Sequence, residues 1–205
     1  MKITQISQQV KQKDRYSIYV DGKYAFSLSA SALLESQLVR GQQLSDGELQ
    51  NWKHQSSEDK ISNQALRYAV LRPHSRWEME NYLKRKAISP ALAQKILNKL
   101  TGISLIDDMA FAHSWVANRR LLRPTSKRKL QQELRAKRVD DEVIDQVLTE
   151  DEVTEQDVLR QLVVKKRQLS KYRVDDLKLM QYLANQGFNY GDIKNVLAEK
   201  PSLGD

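Results

Sequence analysis

Basic side chains are concentrated in one short stretch of this 205-residue chain, from Arg119 to Arg138. Nine basic residues lie there with one acidic residue, Glu133, whereas the whole chain has a net charge of +8. Arginine and lysine at this density can bind phosphate groups or an acidic protein surface. The alternative is a solvated helical face, with Arg119 and Arg120 favoured only because a helix ends there. The density of charge favours a binding surface.

We predict that this stretch forms a protein- or DNA-binding surface together with basic residues of an earlier, similar segment. The candidate residues are Arg76, Lys84, Arg85, Arg119, Arg120, Arg123, Lys127, Arg128, Lys129, Arg135, Lys137 and Arg138. On a helix that begins at Lys127, Leu130 and Leu134 face inward, so Arg128 and Arg135 lie on the opposite face.

Other residue types that could carry chemistry are scattered. The chain has no cysteine, and its three histidines, His54, His74 and His113, lack the spacing of a metal-binding pair. None of the seven glycines forms a phosphate-binding loop. Asp107-Asp108 are adjacent carboxylates, but their position favours the N-terminal cap of a helix. We therefore predict that the protein is not an enzyme and uses no cofactor or metal.

An internal repeat in the sequence predicts the helices that position the basic residues. The unit at 126–148 has five apolar residues at successive offsets of 4, 5, 5 and 4, and the same offsets recur 51 residues earlier and 49 residues later. A spacing of four places apolar residues on one face of a helix, where they can form a core. The three sets are Met79, Leu83, Ile88, Ala93 and Leu97; Leu130, Leu134, Val139, Ile144 and Leu148; and Leu179, Leu183, Phe188, Ile193 and Leu197.

Each unit also has polar residues where two helices would begin, and their side chains can accept a hydrogen bond from the first turn of a helix. These residues are Ser75, Ser126 and Asp175 for the first helix, and Ser89, Asp140 and Asn189 for the second. The pattern predicts helix pairs at about 76–86 and 90–100, 127–137 and 141–149, and 176–186 and 190–199. A third helix is predicted before each pair, at 62–72, 108–121 and 154–168.

Residues 1–28 have a different period. Apolar residues alternate with polar ones on both sides of Asp21-Gly22, which is a strong signal for a β-hairpin. We expect a small antiparallel sheet of two or three strands. Two helical stretches should follow, at 30–39 and from about residue 46, and the polar segment 53–61 is interpreted as a linker.

The predicted fold class is mainly α, with tandem three-helix repeats in an elongated array after the small N-terminal sheet. The predicted divisions are 1–60 for the hairpin and short helices, and 61–104, 105–150 and 151–205 for the three repeats, the last with a short tail from Pro201. No apolar run has the length of a membrane span, and the N-terminus lacks the apolar stretch of a signal peptide. We expect a cytoplasmic protein without a membrane partner.

The helix pairs also invite comparison with a helix-turn-helix, whose second helix enters the major groove of DNA. In the middle unit this helix is DDEVIDQVL, which has three acidic residues and no basic one. Phosphate groups would repel it. The first unit has Lys95 and Lys99 on its second helix, so the question stays open there.

Several segments resemble the RecX family. The segment LIDDMAFAHSWVANR at 105–119, followed by a basic loop and KLQQELRAKRV at 129–139, is similar to the core signature of the family. ALRYAVLRPHSRWEMENYLKRKAI at 65–88 and LMQYLANQGFNYGDIKNVL at 179–197 resemble its first and last repeats. YSIYVDGKYAFSL resembles the N-terminal leader of many members, so the resemblance covers most of the chain.

The resemblance implies a regulatory protein that binds the RecA–DNA filament. It would inhibit the recombinase, ATPase and coprotease activities of RecA in DNA repair and the SOS response. Arg119, Lys127, Arg128, Lys129, Arg135 and Lys137 would then contact acidic recombinase surface, the DNA backbone or both. We expect a monomer that binds single- or double-stranded DNA weakly by itself. The alternative is a stand-alone nucleic-acid-binding protein, a helical-repeat DNA or RNA binder or repressor, whose affinity would fall steeply with salt.

The chain departs from the family pattern in the turn before the third apolar position of each repeat. Family members often have glycine there, and Gly187 keeps it, but Ala87 and Arg138 replace it. If this turn requires a positive φ, Arg138 should cost about 1 kcal/mol.

Overall fold

A computed structural model describes residues 1–199, which form three β-strands and eleven α-helices. The strands are β1 (Ile3–Gln8), β2 (Arg15–Val20) and β3 (Lys23–Ser29). The helices are α1 (Ala30–Ser36), α2 (Asp46–Val70), α3 (Arg76–Lys84), α4 (Pro90–Gly102), α5 (Asp108–Leu122), α6 (Lys127–Ala136), α7 (Asp141–Glu150), α8 (Glu155–Arg167), α9 (Ser170–Arg173), α10 (Asp176–Asn185) and α11 (Tyr190–Ala198). The predicted class, mainly α with a small antiparallel N-terminal sheet and three-helix repeats, is confirmed. The predicted tail from Pro201 lies outside the described residues.

The N-terminal sheet has the strand order β1-β2-β3, and both pairs are antiparallel. Asp21 and Gly22 connect β2 to β3 with φ of 49° and 78°, which matches the hairpin prediction because both central positions of this tight turn have positive φ. A hairpin alone is marginal in water. Here the apolar face of the sheet packs on α2, where Phe26 stacks on Trp52 at 6.3 Å between ring centroids.

The interpretation of residues 53–61 as a linker is wrong, because they lie inside α2, which continues unbroken for 25 residues. Polar side chains in this segment attach the helix to the sheet. The Asp59 carboxylate pairs with Arg15 of β2, 3.0 Å between Oδ2 and Nη1, and accepts the Ser29 N–H at 2.9 Å. Both charged side chains are nearly buried. The polar composition that suggested a loop therefore serves a helix–sheet contact.

The described residues belong to two compact units. The first contains residues 1–72 and 80–103, and therefore the sheet, α2 and α4. The second contains residues 73–79 together with the chain from Ser104 onward. A boundary at residue 60 would cut α2, and the division of the chain into four parts remains a proposal.

The helix pairs of the three repeats lie within two residues of their predicted ends. Five of the six predicted caps accept a hydrogen bond from the first turn; the exception is Asp140, whose side chain makes no such bond. The first two apolar residues of every repeat are at most 1% exposed: Met79, Leu83, Leu130, Leu134, Leu179 and Leu183. The repeated apolar pattern thus forms the core, as expected.

In all three repeats, the turn between the paired helices (α3 and α4, α6 and α7, α10 and α11) has a residue with positive φ. The angle is 51° at Ala87, 57° at Arg138 and 88° at Gly187. Side chains with a Cβ are disfavoured in this region, so Ala87 and Arg138 are strained. Gly187 is also required by space, because a Cβ there would lie 2.4 Å from Ser126 Oγ. Glycine therefore avoids both backbone strain and a steric clash in the third repeat, whereas Ala87 and Arg138 carry the strain in the first two.

We expect Arg138→Gly to raise the free energy of unfolding by about 1 kcal/mol, because it removes the strain of a Cβ at positive φ. Gly187→Ala should lower it by more than about 1 kcal/mol, since the same strain is added to a clash with Ser126. Urea unfolding followed by circular dichroism measures both changes.

Gly102→Ala is the matched control, because Gly102 is helical and its Cβ would meet nothing within 4 Å. This substitution should be neutral or slightly stabilising. An Arg138→Gly variant less stable than the wild type would contradict the assignment of strain to this turn.

Candidate interaction surface

Arg119 is held in a cluster on the outside of α5 and α6. Its Nε donates to Glu133 Oε2 at 2.7 Å, and the same oxygen accepts the Trp115 Nε1–H at 2.8 Å. The guanidinium also lies over the Trp115 ring, 4.9 Å from its centroid. Glu133, the single acidic residue of the basic stretch, therefore has Arg119 as its partner, and both side chains are about a quarter exposed.

Arg120 points away from solvent and fastens the loop after α7. Its Nη2 lies 2.6 Å from Asp151 Oδ2, and its Nε donates to the same oxygen at 3.0 Å. Nη1 donates to the Thr125 carbonyl at 2.6 Å. The Arg120 side chain is 10% exposed and that of Asp151 is 6% exposed, so this is an interior ion pair.

Lys127 and Lys129 donate to carbonyl groups at helix ends. Lys127 Nζ binds the carbonyl oxygens of Leu148 and Asp151, at 2.9 and 3.2 Å, where α7 ends. Lys129 Nζ binds the carbonyl of Asn185 at 2.9 Å and Gln186 Oε1 at 3.2 Å, at the end of α10. Positive charge at a helix C-terminus is favourable, and both ammonium groups have a structural role.

Lys137 belongs to the contact between the first and second repeats. Its Nζ lies 2.7 Å from Glu78 Oε1, and Glu78 Oε2 lies 3.1 Å from His74 Nδ1. The ammonium also lies 5.3 Å from the centroid of the Trp115 ring. Since Glu78 is buried, Lys137 neutralises a charge that would otherwise be costly.

Asp107 and Asp108 have different roles at the start of α5. Asp107 is the N-cap, as predicted, and its Oδ1 accepts the Ala110 N–H at 3.0 Å. Asp108 Oδ1 accepts the N–H of half-buried Arg76 at 2.8 Å, and so links α5 to the start of α3. Burial raises the pKa of the Asp108 carboxyl above its usual value, although the hydrogen bond from Arg76 acts in the opposite direction.

The remaining basic residues of the stretch point outward. Arg123, Arg128 and Arg138 are exposed, and within residues 1–199 their side chains make no hydrogen bond or ion pair. Arg135 pairs with Asp141 at 2.6 Å, but both side chains are more than half exposed, and such surface pairs contribute little. Arg123 and Arg128 lie near the start of α6, and Arg138 lies beyond its other end, about 15 Å away by helix rise.

Lys84 and Arg85 are exposed at the C-terminal end of α3, in the first unit, and have no side-chain partner among the described residues. The twelve candidate residues therefore do not form one uniform surface. Some hold the fold together, and the others are available to a partner. That the available ones form a binding surface remains a prediction.

Sequence reasoning missed a hydrogen-bonded contact that recurs between successive repeats. The Ser75 hydroxyl donates to the Lys137 carbonyl at 3.1 Å. At the equivalent place, the Gln186 carbonyl accepts the Ser126 N–H at 3.2 Å and the Thr125 hydroxyl at 3.0 Å. The repeated signal in the sequence is Pro-x-Ser, at 73–75 and 124–126, of which the serine alone predicts a helix cap.

Within residues 1–199, no helix is long and apolar enough to cross a membrane, and no group of three or more candidate ligand side chains could hold a metal ion. The described chain is thus a protein of three-helix repeats, joined by polar contacts, with outward-facing arginines on its second repeat.

Comparison with known proteins gives the family. Three family models match: the N-terminal domain of regulatory protein RecX at residues 1–45, the first RecX three-helix domain at 63–100 and the second at 107–148. Regulatory protein RecX of Bacillus subtilis (strain 168) is 31% identical over 95% of this chain and 75% of its own length. That of Listeria monocytogenes serotype 4a (strain HCC23) is 30% identical over 98% and 77%. This chain belongs to the RecX family.

Two solved structures are similar in fold. A crystal structure of regulatory protein RecX has a TM-score of 0.70 and 28% identity, and the match covers 97% of this chain and 99% of that one. The crystal structure of RecX from Lactobacillus salivarius has a TM-score of 0.57 and 25% identity, over 68% of this chain and 94% of that one.

The division between interior and outward cations is testable by alanine substitution. We expect Arg120→Ala to lower the free energy of unfolding by about 3–5 kcal/mol, because it leaves the buried Asp151 carboxylate unpaired. Arg128→Ala should change it by less than about 0.5 kcal/mol, because that side chain is exposed and without a partner in residues 1–199. Chemical denaturation of the two variants, equal in charge change, measures the difference; similar losses in both would contradict the division.

Proposed function

We propose that this protein binds the RecA–DNA filament and inhibits RecA, lowering its strand exchange, ATP hydrolysis and coprotease activity. It would act in the cytoplasm, in DNA repair and the SOS response. The observation that carries the proposal is the set of outward arginines on the second repeat, Arg123, Arg128 and Arg138. Membership of a family of regulatory proteins supports it.

The outward arginines suit a partner because nothing within residues 1–199 competes for them. Lys127 and Lys129 each use two of their three donors on oxygens at the ends of α7 and α10, so only one donor of each is left for a partner unless those bonds break. Arg128 has no such cost, and it shares a helical face with Arg135, whose pair with Asp141 is solvent-exposed. Arginine also binds carboxylate and phosphate groups in a bidentate manner, which favours specific contacts.

Neighbouring acidic residues weigh against bare DNA as the main contact, because a protein surface of mixed charge can place carboxylates against the arginines and other groups against the acidic residues. Helix α7 packs on α6 and exposes Asp141, Glu142 and Asp145. A DNA backbone lying across both helices would meet these carboxylates and be repelled. A filament offers recombinase surface and DNA together, so the arginines can contact either one while the acidic residues avoid the phosphates.

The first experiment measures ATP hydrolysis by RecA on single-stranded DNA during titration with this protein. We expect inhibition at substoichiometric ratios. For the double variant Arg123→Glu and Arg128→Glu, the protein concentration that gives half-inhibition should rise at least about tenfold, because reversed charges at an interface weaken binding. Sedimentation of the filament with bound protein should show the same loss.

The matched control reverses two exposed lysines on α2, Lys53→Glu and Lys60→Glu, which also have no side-chain partner in residues 1–199. This variant has the same net charge as the test variant and should keep wild-type inhibition. Full inhibition by the Arg123 and Arg128 variant would show that the surface is wrongly chosen. No inhibition by the wild type, with binding to bare DNA that falls steeply with salt, would instead favour a stand-alone nucleic-acid binder.

A further inference from the structure

Successive repeats are joined by one recurring contact with two halves. The first half, the docking face, is the start of the first helix of a pair: the residue before the cap, the cap, and the residue three positions beyond the cap. The second half, the docking turn, is the pair of residues between the two helices of the next repeat. The docking faces are His74, Ser75 and Glu78; Thr125, Ser126 and Lys129; and Val174, Asp175 and Lys178. The docking turns are Lys86-Ala87, Lys137-Arg138 and Gln186-Gly187.

Each contact contains a matched pair of side chains. On the first docking face, Glu78 pairs with Lys137 of the second docking turn at 2.7 Å. On the second docking face, Lys129 donates to Gln186 of the third docking turn at 3.2 Å. Exchanging the two turns would place Lys129 against Lys137. The residue three positions beyond the cap thus selects which turn can bind.

No docking turn within residues 1–199 covers the third docking face. His74 and Thr125, which precede the caps of the first two faces, are each 2% exposed beneath a docking turn. Their equivalent in the third repeat, Val174, is 89% exposed, and Leu177 in the first turn of α10 is 78% exposed. Val174 therefore lies in solvent at a position that is buried in both other repeats.

The first docking turn is also exposed. Lys86 is exposed, whereas its equivalents Lys137 and Gln186 are partly buried in the contacts described above. Ala87 has the same positive φ as Arg138, 51° against 57°, and Lys86 has the same charge as Lys137. The first docking turn therefore has the conformation and charge of a turn that already docks in this protein.

We propose that the third docking face is a binding site for the first docking turn of a second copy of this chain, and that like charge between Lys178 and Lys86 keeps it empty. Lys178 Nζ lies 2.8 Å from Asp175 Oδ2 yet stays 60% exposed, so an approaching lysine meets it directly. A contact of this kind joins different surfaces of two copies, so an unguarded face would produce rings or open chains of molecules. This inference does not depend on the proposed function.

Charge reversal of either lysine should open the site. Lys178→Glu gives the third docking face the acidic residue that Glu78 provides on the first, and Lys86→Glu gives the same pair with its signs exchanged. In sedimentation velocity from about 10 to about 300 µM, the range of a weak interface, we expect each single variant to show a rising weight-average sedimentation coefficient. The wild type should remain a monomer over this range. The double variant, with glutamate at both positions, should return to the monomer because the charges again repel.

Lys165→Glu is the control, since Lys165 is an exposed lysine of the same repeat, on α8, without a side-chain partner in residues 1–199. It changes the net charge equally and should remain monomeric. Circular dichroism of each variant checks the fold, which the exposed positions of Lys86 and Lys178 should preserve. Single variants that stay monomeric at the highest concentration would overturn the docking site. A wild type that associates through this face, or a double variant that does, would overturn the role of like charge.

Discussion

The structure depends on hydrogen bonds to the carbonyl groups that are exposed where the first helix of a pair ends, at α6 and α10. A helix leaves its last carbonyl groups without partners in the chain of intrahelical hydrogen bonds. The following residue has a positive φ, which turns the chain sharply and presents these carbonyl oxygens outward. In the second and third repeats the preceding repeat supplies the donors, from Ser75 to Lys137 and from Thr125 and Ser126 to Gln186. The caps of one repeat therefore also cap the end of another.

The same need for hydrogen-bond donors at helix ends explains why most basic residues between Arg119 and Arg138 have a structural role. Its residues lie where helices of the second repeat begin or end, and those are the places where carbonyl oxygens and carboxylates need a positive partner. Lys127 and Lys129 donate to carbonyl groups, and Arg119, Arg120 and Lys137 pair with carboxylates that are partly or fully buried. Charge density in a sequence thus overstates the charge that a partner can reach. The arginines left over, Arg123, Arg128 and Arg138, make no side-chain hydrogen bond or ion pair within residues 1–199.

The repeat and its helix pairs could be predicted because they follow from local rules. Apolar residues at offsets of four, preceded by a capping side chain, define a helix and its buried face without knowledge of the rest of the chain. The role of residues 53–61 could not be predicted in this way, because Asp59 finds Arg15 and Ser29 from 30 or more positions earlier in the sequence. The pairing of Arg120 with Asp151, 31 residues apart, is equally invisible to a local pattern. For the interaction surface, sequence identified the stretch but not which of its residues are free.

Polar contacts between repeats have a consequence that an apolar contact would lack. A seam of leucines would accept any neighbouring repeat, because burial of apolar area has no direction. Here a wrong neighbour leaves a buried glutamate unpaired or brings two lysines together, and either outcome costs more than the correct pair contributes. Glu78 against Lys137 and Lys129 against Gln186 therefore select which repeats dock on one another. In the proposal made above, the same selectivity lets one lysine, Lys178, exclude Lys86 of a second copy from the third docking face.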